Sequence, residues 1–168
     1  MTDAHLHLIV NHAPIFACYF ALLFLLLSRF GKDVGFMRAV LVLSIIGGIT
    51  AFLSDKTGGP ALHAIRDLPE IVKSQVRDHT AAADWALWYA IATGALSCFA
   101  LWQSIKKGSN SLPVVILLTI LLLFTATTMT LTGYRGGLIR HPEISNSFQA
   151  PPTIAPKQVT SPVAPSQK

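Results

Sequence analysis

Four long runs of apolar residues, separated by polar connections, dominate the pattern along this chain of 168 residues. They cover residues 8–28, 39–54, 84–102 and 112–132. An α-helix rises about 1.5 Å per residue and the hydrocarbon core of a bilayer is about 30 Å thick, so each run can cross or nearly cross a membrane as a helix. We therefore predict an all-α fold, a polytopic four-helix bundle in the membrane, over residues 1–148.

The composition also indicates an integral membrane protein and disfavours several soluble classes. Hydrophobic residues make up 52% of the chain and charged residues only 12%, about half the charged fraction of a typical soluble domain. We find no phosphate-binding glycine loop and no pattern of an activated nucleophile, so an electron-transfer or accessory subunit is expected rather than a stand-alone enzyme. The bilayer is the expected partner and nucleic acid is not; the sequence leaves the oligomeric state open.

The distribution of basic residues predicts the orientation. Two short connections, the first and the third, hold a concentration of Lys and Arg with one acid, Asp33, among them: Arg29, Lys32, Arg38, Lys106 and Lys107. The positive-inside rule makes this face cytoplasmic. Both termini are then extracytoplasmic, and the first helix is retained, because no Lys or Arg precedes Arg29 to form the basic start of a signal peptide.

Two further segments are assigned from their composition. Residues 149–168 are rich in Pro, Ser, Thr and Ala, with few large apolar residues to bury, and we predict a disordered tail. Residues 55–60 have the chemistry of a turn after the second helix. From Pro69 the pattern predicts one long third helix that begins outside the membrane and continues through His79 into the bilayer.

All six histidines fall on the predicted extracytoplasmic side: His5, His7, His12, His63, His79 and His141. His79 is followed at helical spacing by a stripe of small residues that includes Ala82, Ala86 and Ala90. The stripe is typical of tight helix packing. It would also leave room for a planar macrocycle with His79 as an iron ligand, and either interpretation predicts that His79 faces the bundle interior.

The first span begins with three imidazoles close together. His5 and His12 would share a face of a continuous helix, whereas His7 and His12 would differ by about 140° at 100° per residue. Pro14 favours an early position in a helix, which puts His12 about where the chain enters the bilayer. A cap or a headgroup contact is the alternative role for His12.

After the fourth span, Gly136 and Gly137 predict a tight turn that folds back over the bundle. It would place Arg135 and Arg140 near anionic groups such as lipid phosphates, acidic side chains or the propionates of a haem. His141 follows them in the chain. A solvated turn with interfacial anchors is the alternative.

Short motifs at the ends of all four helices also carry a resemblance. They are His7-x-x-x-x-His12-x-Pro14-Ile15, Thr57-Gly58, Arg77-x-His79 and Gly136-Gly137. Together they resemble a bacterial family of four-helix membrane proteins catalogued as domain of unknown function 2231. The resemblance covers most of residues 5–143. It implies a multi-pass protein of the bacterial inner membrane, in a family sometimes linked to electron-transfer modules.

The histidine pattern favours a small b-type cytochrome that binds haem b near the extracytoplasmic face and transfers electrons to a redox partner or within a larger membrane complex. His12 and His79 are the preferred axial ligands, since each lies where a helix enters the bilayer. His7 and His141 are alternative ligands, while Arg135 or Arg140 would neutralise the propionates.

Two other functions remain open. The chain would then be a cofactor-free accessory or scaffold subunit of a respiratory or envelope complex, with histidines that cap helices or sense acidity. A transient copper or zinc site is a variant, because imidazole binds both metals. The histidine spacing matches no closed zinc site.

Overall fold

The computed structural model describes residues 2–30, 34–68 and 71–141, and every regular element in these residues is an α-helix. The helices are α1 (Asp3–Val10), α2 (His12–Leu27), α3 (Val34–Ile65), α4 (Lys73–Lys107) and α5 (Leu112–Arg140). The all-α prediction is confirmed over this part of the chain. The tail predicted at 149–168 lies outside the described residues.

Helices α1 and α2 form one apolar rod of 25 residues with a break at Asn11. Pro14 is the third residue of α2, and since it has no N–H it cannot donate to the carbonyl of Val10 as the helix pattern requires. Asn11 itself stays in the helical region, with φ −66° and ψ −19°. The break therefore interrupts the backbone hydrogen bonds of the rod, and Asn11 alone separates α1 from α2.

Four helices, the α1–α2 rod, α3, α4 and α5, are long and apolar enough to cross a membrane. Only 28–33% of the most apolar stretch of each is buried inside the protein. Large apolar side chains such as Phe20, Trp88 and Ile105 project outward. An outer surface of this kind is stable in lipid and not in water, so the chain is a multi-pass membrane protein.

The small residues of α4 pack against α3. Ala86, Ala90 and Thr93 are each 2% exposed, and a Cβ atom added to Gly48 of α3 would lie 3.0 Å from the carbonyl oxygen of Ala90. The two backbones thus meet with no side chain between them, as small residues permit in membranes. The packing interpretation of the stripe is confirmed, and near Gly94 the predicted room for a planar ring is filled by α3.

Two turns predicted from glycine and proline are wrong. Helix α3 continues through residues 55–60 with Pro60 inside it, and α1 packs along this part of the helix. Helix α5 continues through Gly136 and Gly137 to Arg140 instead of folding back. Glycine only weakens a helix and Pro60 removes one backbone hydrogen bond, so packing against neighbouring helices outweighs both. The long third helix is confirmed, with its start at Lys73.

Candidate functional site

One end of the bundle gathers the N-terminal parts of α1 and α4 and the C-terminal parts of α3 and α5. This arrangement follows from the chain alternating in direction from one helix to the next. It brings His7 of α1 beside Thr57 of α3, and His79 of α4 beside Thr132 and Gly136 of α5. The two histidines are half-buried.

His79 faces the bundle interior, as the sequence predicts, and its Nδ1 atom lies 3.1 Å from the carbonyl oxygen of Thr132. A carbonyl can only accept a hydrogen bond, so Nδ1 carries the proton. The Nε2 atom then carries the lone pair. A histidine held in this way by a backbone carbonyl has the tautomer and orientation typical of a metal-ligating imidazole.

A glycine of α5 makes room for the His79 ring. A Cβ atom added to Gly136 would lie 3.1 Å from Cε1 and 3.2 Å from Nδ1 of His79. The ring therefore rests against bare helix backbone on the Nδ1 side. This contact, rather than a turn, explains why a glycine is suitable at position 136.

His7 is held in the same tautomer by a side chain. Its Nδ1 atom lies 3.0 Å from Oγ1 of Thr57. That hydroxyl lies 2.9 Å from the carbonyl oxygen of Ser54 and 3.2 Å from that of Leu53, to which it donates its proton. Because the hydroxyl has one proton, it accepts from Nδ1 of His7, which leaves the lone pair on Nε2.

The histidine pair, His7 and His79, lies at one end of the bundle, on α1 and α4. The Nδ1 atom of His7 is occupied by Thr57 of α3, and the Nδ1 atom of His79 is occupied by the carbonyl of Thr132 of α5. Two separate helices therefore each present one imidazole at this end.

Two amide side chains beside the pair were not singled out from the sequence. Asn11 is four residues after His7 and Gln75 is four residues before His79, so each amide shares a helix face with a histidine. Their oxygens, Oδ1 and Oε1, are buried without a hydrogen-bond partner in the described structure. Buried polar atoms without partners are rare in proteins and indicate a bound water or ligand. The i, i+4 spacing to each histidine was the available signal.

Three other predicted site residues, His12, Arg140 and His141, are exposed. His12 is exposed, and its Nδ1 atom lies 2.8 Å from the carbonyl oxygen of Leu8 in the preceding turn. The His12 ring thus points back along its own rod, whereas the His7 ring makes its contact across to α3. Arg140 and His141 lie exposed at the end of α5.

Arg135 does lie beside the histidine pair. Its Nη1 atom donates a hydrogen bond of 2.9 Å to the carbonyl oxygen of Asp78. Asp78 and Arg135 are the chain neighbours of His79 and Gly136, which are themselves in contact. A guanidinium group is therefore fixed one residue away from the His79–Gly136 contact.

The two imidazoles are fewer donors than a zinc site needs. No group of three or more His, Cys, Asp or Glu side chains suited to a metal occurs among the described residues. Structural zinc needs four ligands and catalytic zinc three. A haem would need only one or two ligands from the protein, and His7 and His79 would be able to supply them.

Comparisons of the sequence with family models, with curated proteins and with solved structures find no significant match. The resemblance to domain of unknown function 2231 therefore stays a prediction. The interpretation of the site depends on its own residues and geometry.

Proposed function

We propose that the protein is a small b-type cytochrome of the membrane, an electron-transfer protein with one haem b held axially by His7 and His79. The observation that carries the proposal is the orientation of the two imidazoles. Each is fixed through Nδ1, by Thr57 or by the carbonyl of Thr132, and each has its Nε2 lone pair available. Such second-shell hydrogen bonds orient axial ligands and tune the metal.

The haem would supply the one-electron chemistry. His7 and His79 would hold the iron, and Arg135 would set the local charge. Arg135, next to Gly136 and hydrogen-bonded to the carbonyl of Asp78, is suited to pair with a propionate, since guanidinium–carboxylate hydrogen bonds are charge-assisted. A redox partner would be a membrane carrier or another subunit of a larger complex.

The orientation is part of the same proposal. With basic residues such as Arg29, Arg38 and Lys107 at the end opposite the histidines, the positive-inside rule puts the histidine pair and both termini on the extracytoplasmic face of a bacterial inner membrane. Electrons would then be exchanged near that face.

Reporter fusions test the orientation. A periplasmic reporter enzyme fused after His141 should be active, and the same reporter fused after Lys107 should be silent, because the two residues end helices that run in opposite directions. Activity only in the Lys107 fusion would invert the orientation.

Haem content tests the function itself. Protein expressed with ample haem and purified in a mild detergent should contain about one haem b per chain, since two axial donors serve one iron. A pyridine haemochrome assay against protein concentration gives the ratio. Haem at trace levels in correctly folded protein would reject the proposal.

The contact between Gly136 and His79 gives a more selective test. Gly136→Ala would press a methyl group against the His79 ring at 3.1 Å, so we expect haem binding to weaken about tenfold, a shift of about 1.4 kcal/mol. Gly133→Ala is the matched control on the same helix, since its Cβ atom would lie 3.7 Å from Cδ1 of Ile15. Haem titration should give wild-type affinity for Gly133→Ala; equal affinity for both variants would contradict the assigned position of the ligand.

A cofactor-free accessory subunit is the second candidate, and one observation favours it. The α4 stripe below His79 is filled by α3 rather than left free for a ring. The apolar outer faces would then pack on partner helices in a respiratory or envelope complex. Haem content separates the two candidates.

A further inference from the structure

A groove opens between α2 and α5 at the end of the bundle opposite the histidines. Its volume is about 820 Å³, and it is independent of the proposed haem site. Val34 and Met37 of α3 also line it. Its outer side opens to the surroundings of the bundle.

The groove is polar at its mouth and apolar along its walls. The mouth is formed by Ser28, Arg29, Ser109 and Asn110, next to the connections that flank α2 and α5. Leu, Ile, Val and Met side chains form most of the walls. The hydroxyl of Thr119, a polar group in the wall, is bonded to the carbonyl of Val115 within α5. The walls are therefore apolar, and the polar side chains of the groove other than Thr119 lie at its mouth.

The length of the groove matches one leaflet of a bilayer. Its wall on α5 extends from Leu112 to Leu123, about 16 Å at the helical rise. Half of a hydrocarbon core of about 30 Å is about 15 Å. An acyl chain that starts at the mouth would end near the bilayer midplane.

The positive charge at the mouth favours binding of an anionic headgroup. Arg29 is exposed there and lines the groove. The first helical residue of α5, Leu112, also lies at the mouth, and its N-cap Ser111 makes no side-chain capping bond. No acidic side chain occurs among the described residues that line the groove. Cations and a helix N-terminus both attract phosphate.

We propose that this groove binds one anionic glycerophospholipid, with its phosphate at Arg29 and the start of α5 and an acyl chain along α5. The bound lipid fills the seam between α2 and α5 and fixes the two helices relative to each other. Zwitterionic lipids of the same acyl length bind more weakly, because their headgroup charge is balanced.

Native mass spectrometry of the detergent-purified chain tests this proposal with two lipids of identical acyl chains, phosphatidylglycerol and phosphatidylcholine. We expect tighter retention of phosphatidylglycerol by the wild type. Arg29→Gln should weaken that retention about tenfold, the effect of losing one charge-assisted hydrogen bond. Lys107→Gln removes a charge at the same end but outside the groove, and should retain the lipid as the wild type does.

A wall variant separates the groove from general surface charge. Leu123→Trp adds bulk at the end of the groove farthest from the mouth, and we expect it to lower retention of phosphatidylglycerol while leaving Arg29 in place. Equal retention of the two lipids, or equal losses in the Arg29→Gln and Lys107→Gln variants, would overturn the proposal. Preferential capture of an isoprenoid quinone, unaffected by Arg29→Gln, would overturn it as well.

Discussion

His79→Ala and His7→Ala should each abolish the low-spin haem spectrum of the purified protein. Each substitution would remove one of the two nitrogens that the proposal assigns to the iron. A six-coordinate iron with two imidazoles becomes five-coordinate or is lost. Oxidised and reduced optical spectra of each variant give the result.

His12→Ala and His63→Ala are the matched controls. Both side chains are exposed, and the His12 ring is bonded to the carbonyl of Leu8 in its own rod. We expect both variants to keep the wild-type spectrum. If His12→Ala lost the spectrum while His7→Ala retained it, the ligand pair assigned from the structure would be wrong.

Gly48→Leu should destabilise the bundle by about 3 kcal/mol, at the upper end of the usual cost of overpacking. A Cβ atom at this position meets the backbone oxygen of Ala90 at 3.0 Å and Cα of Gly94 at 3.5 Å. Backbone atoms cannot rotate away as a flexible side chain can, so α3 and α4 must separate. Thermal unfolding in detergent measures the loss.

Gly59→Ala is the control on the same helix. A Cβ atom at Gly59 has nothing within 4 Å, and alanine is a better helix former than glycine by about 1 kcal/mol. The variant should therefore be as stable as the wild type or slightly more stable. An unchanged unfolding temperature for Gly48→Leu would show that the α3–α4 contact is not tight.

The helices and the buried face of α4 could be predicted from the sequence because their signals are local. Long apolar runs specify the spans, and Ala82, Ala86 and Ala90 recur at helical spacing below His79, whereas Trp85 and Trp88 lie between them. All three alanines are buried and both tryptophans are exposed. The helical spacing of the sequence is therefore enough to predict which of these side chains are buried.

The ends of α3 and α5 could not be predicted, because their glycines respond to neighbours that the sequence does not identify. Gly58 lies against His7 and Gly136 against His79, so each glycine belongs to a helix-to-imidazole contact rather than to a turn. Local sequence rules treat Gly and Pro as residues that end a helix. Here packing against neighbouring helices keeps both segments helical.

The preference for His12 as a ligand came from depth alone. Depth does not determine which way a ring points, and the carbonyl of Leu8 holds the His12 ring against its own rod. His7 instead meets Thr57, a partner 50 residues away in the chain. That contact depends on how α1 packs along α3, which no local pattern of residues 5–15 contains.

The two hairpins of the bundle repeat one arrangement. In each, the first helix supplies a histidine, His7 or His79, and the second supplies the glycine against which its ring rests and the oxygen that accepts from Nδ1. The bundle thus presents one imidazole from each of its two halves, each held in a similar way.

An optical spectrum of the detergent-purified wild-type chain, recorded oxidised and then after reduction with dithionite, tests the central claim most directly. We expect sharp α and Soret bands of a six-coordinate haem b after reduction, because two imidazole ligands would keep the iron in the low-spin state. A folded protein, expressed with ample haem, that shows neither band would contradict the account.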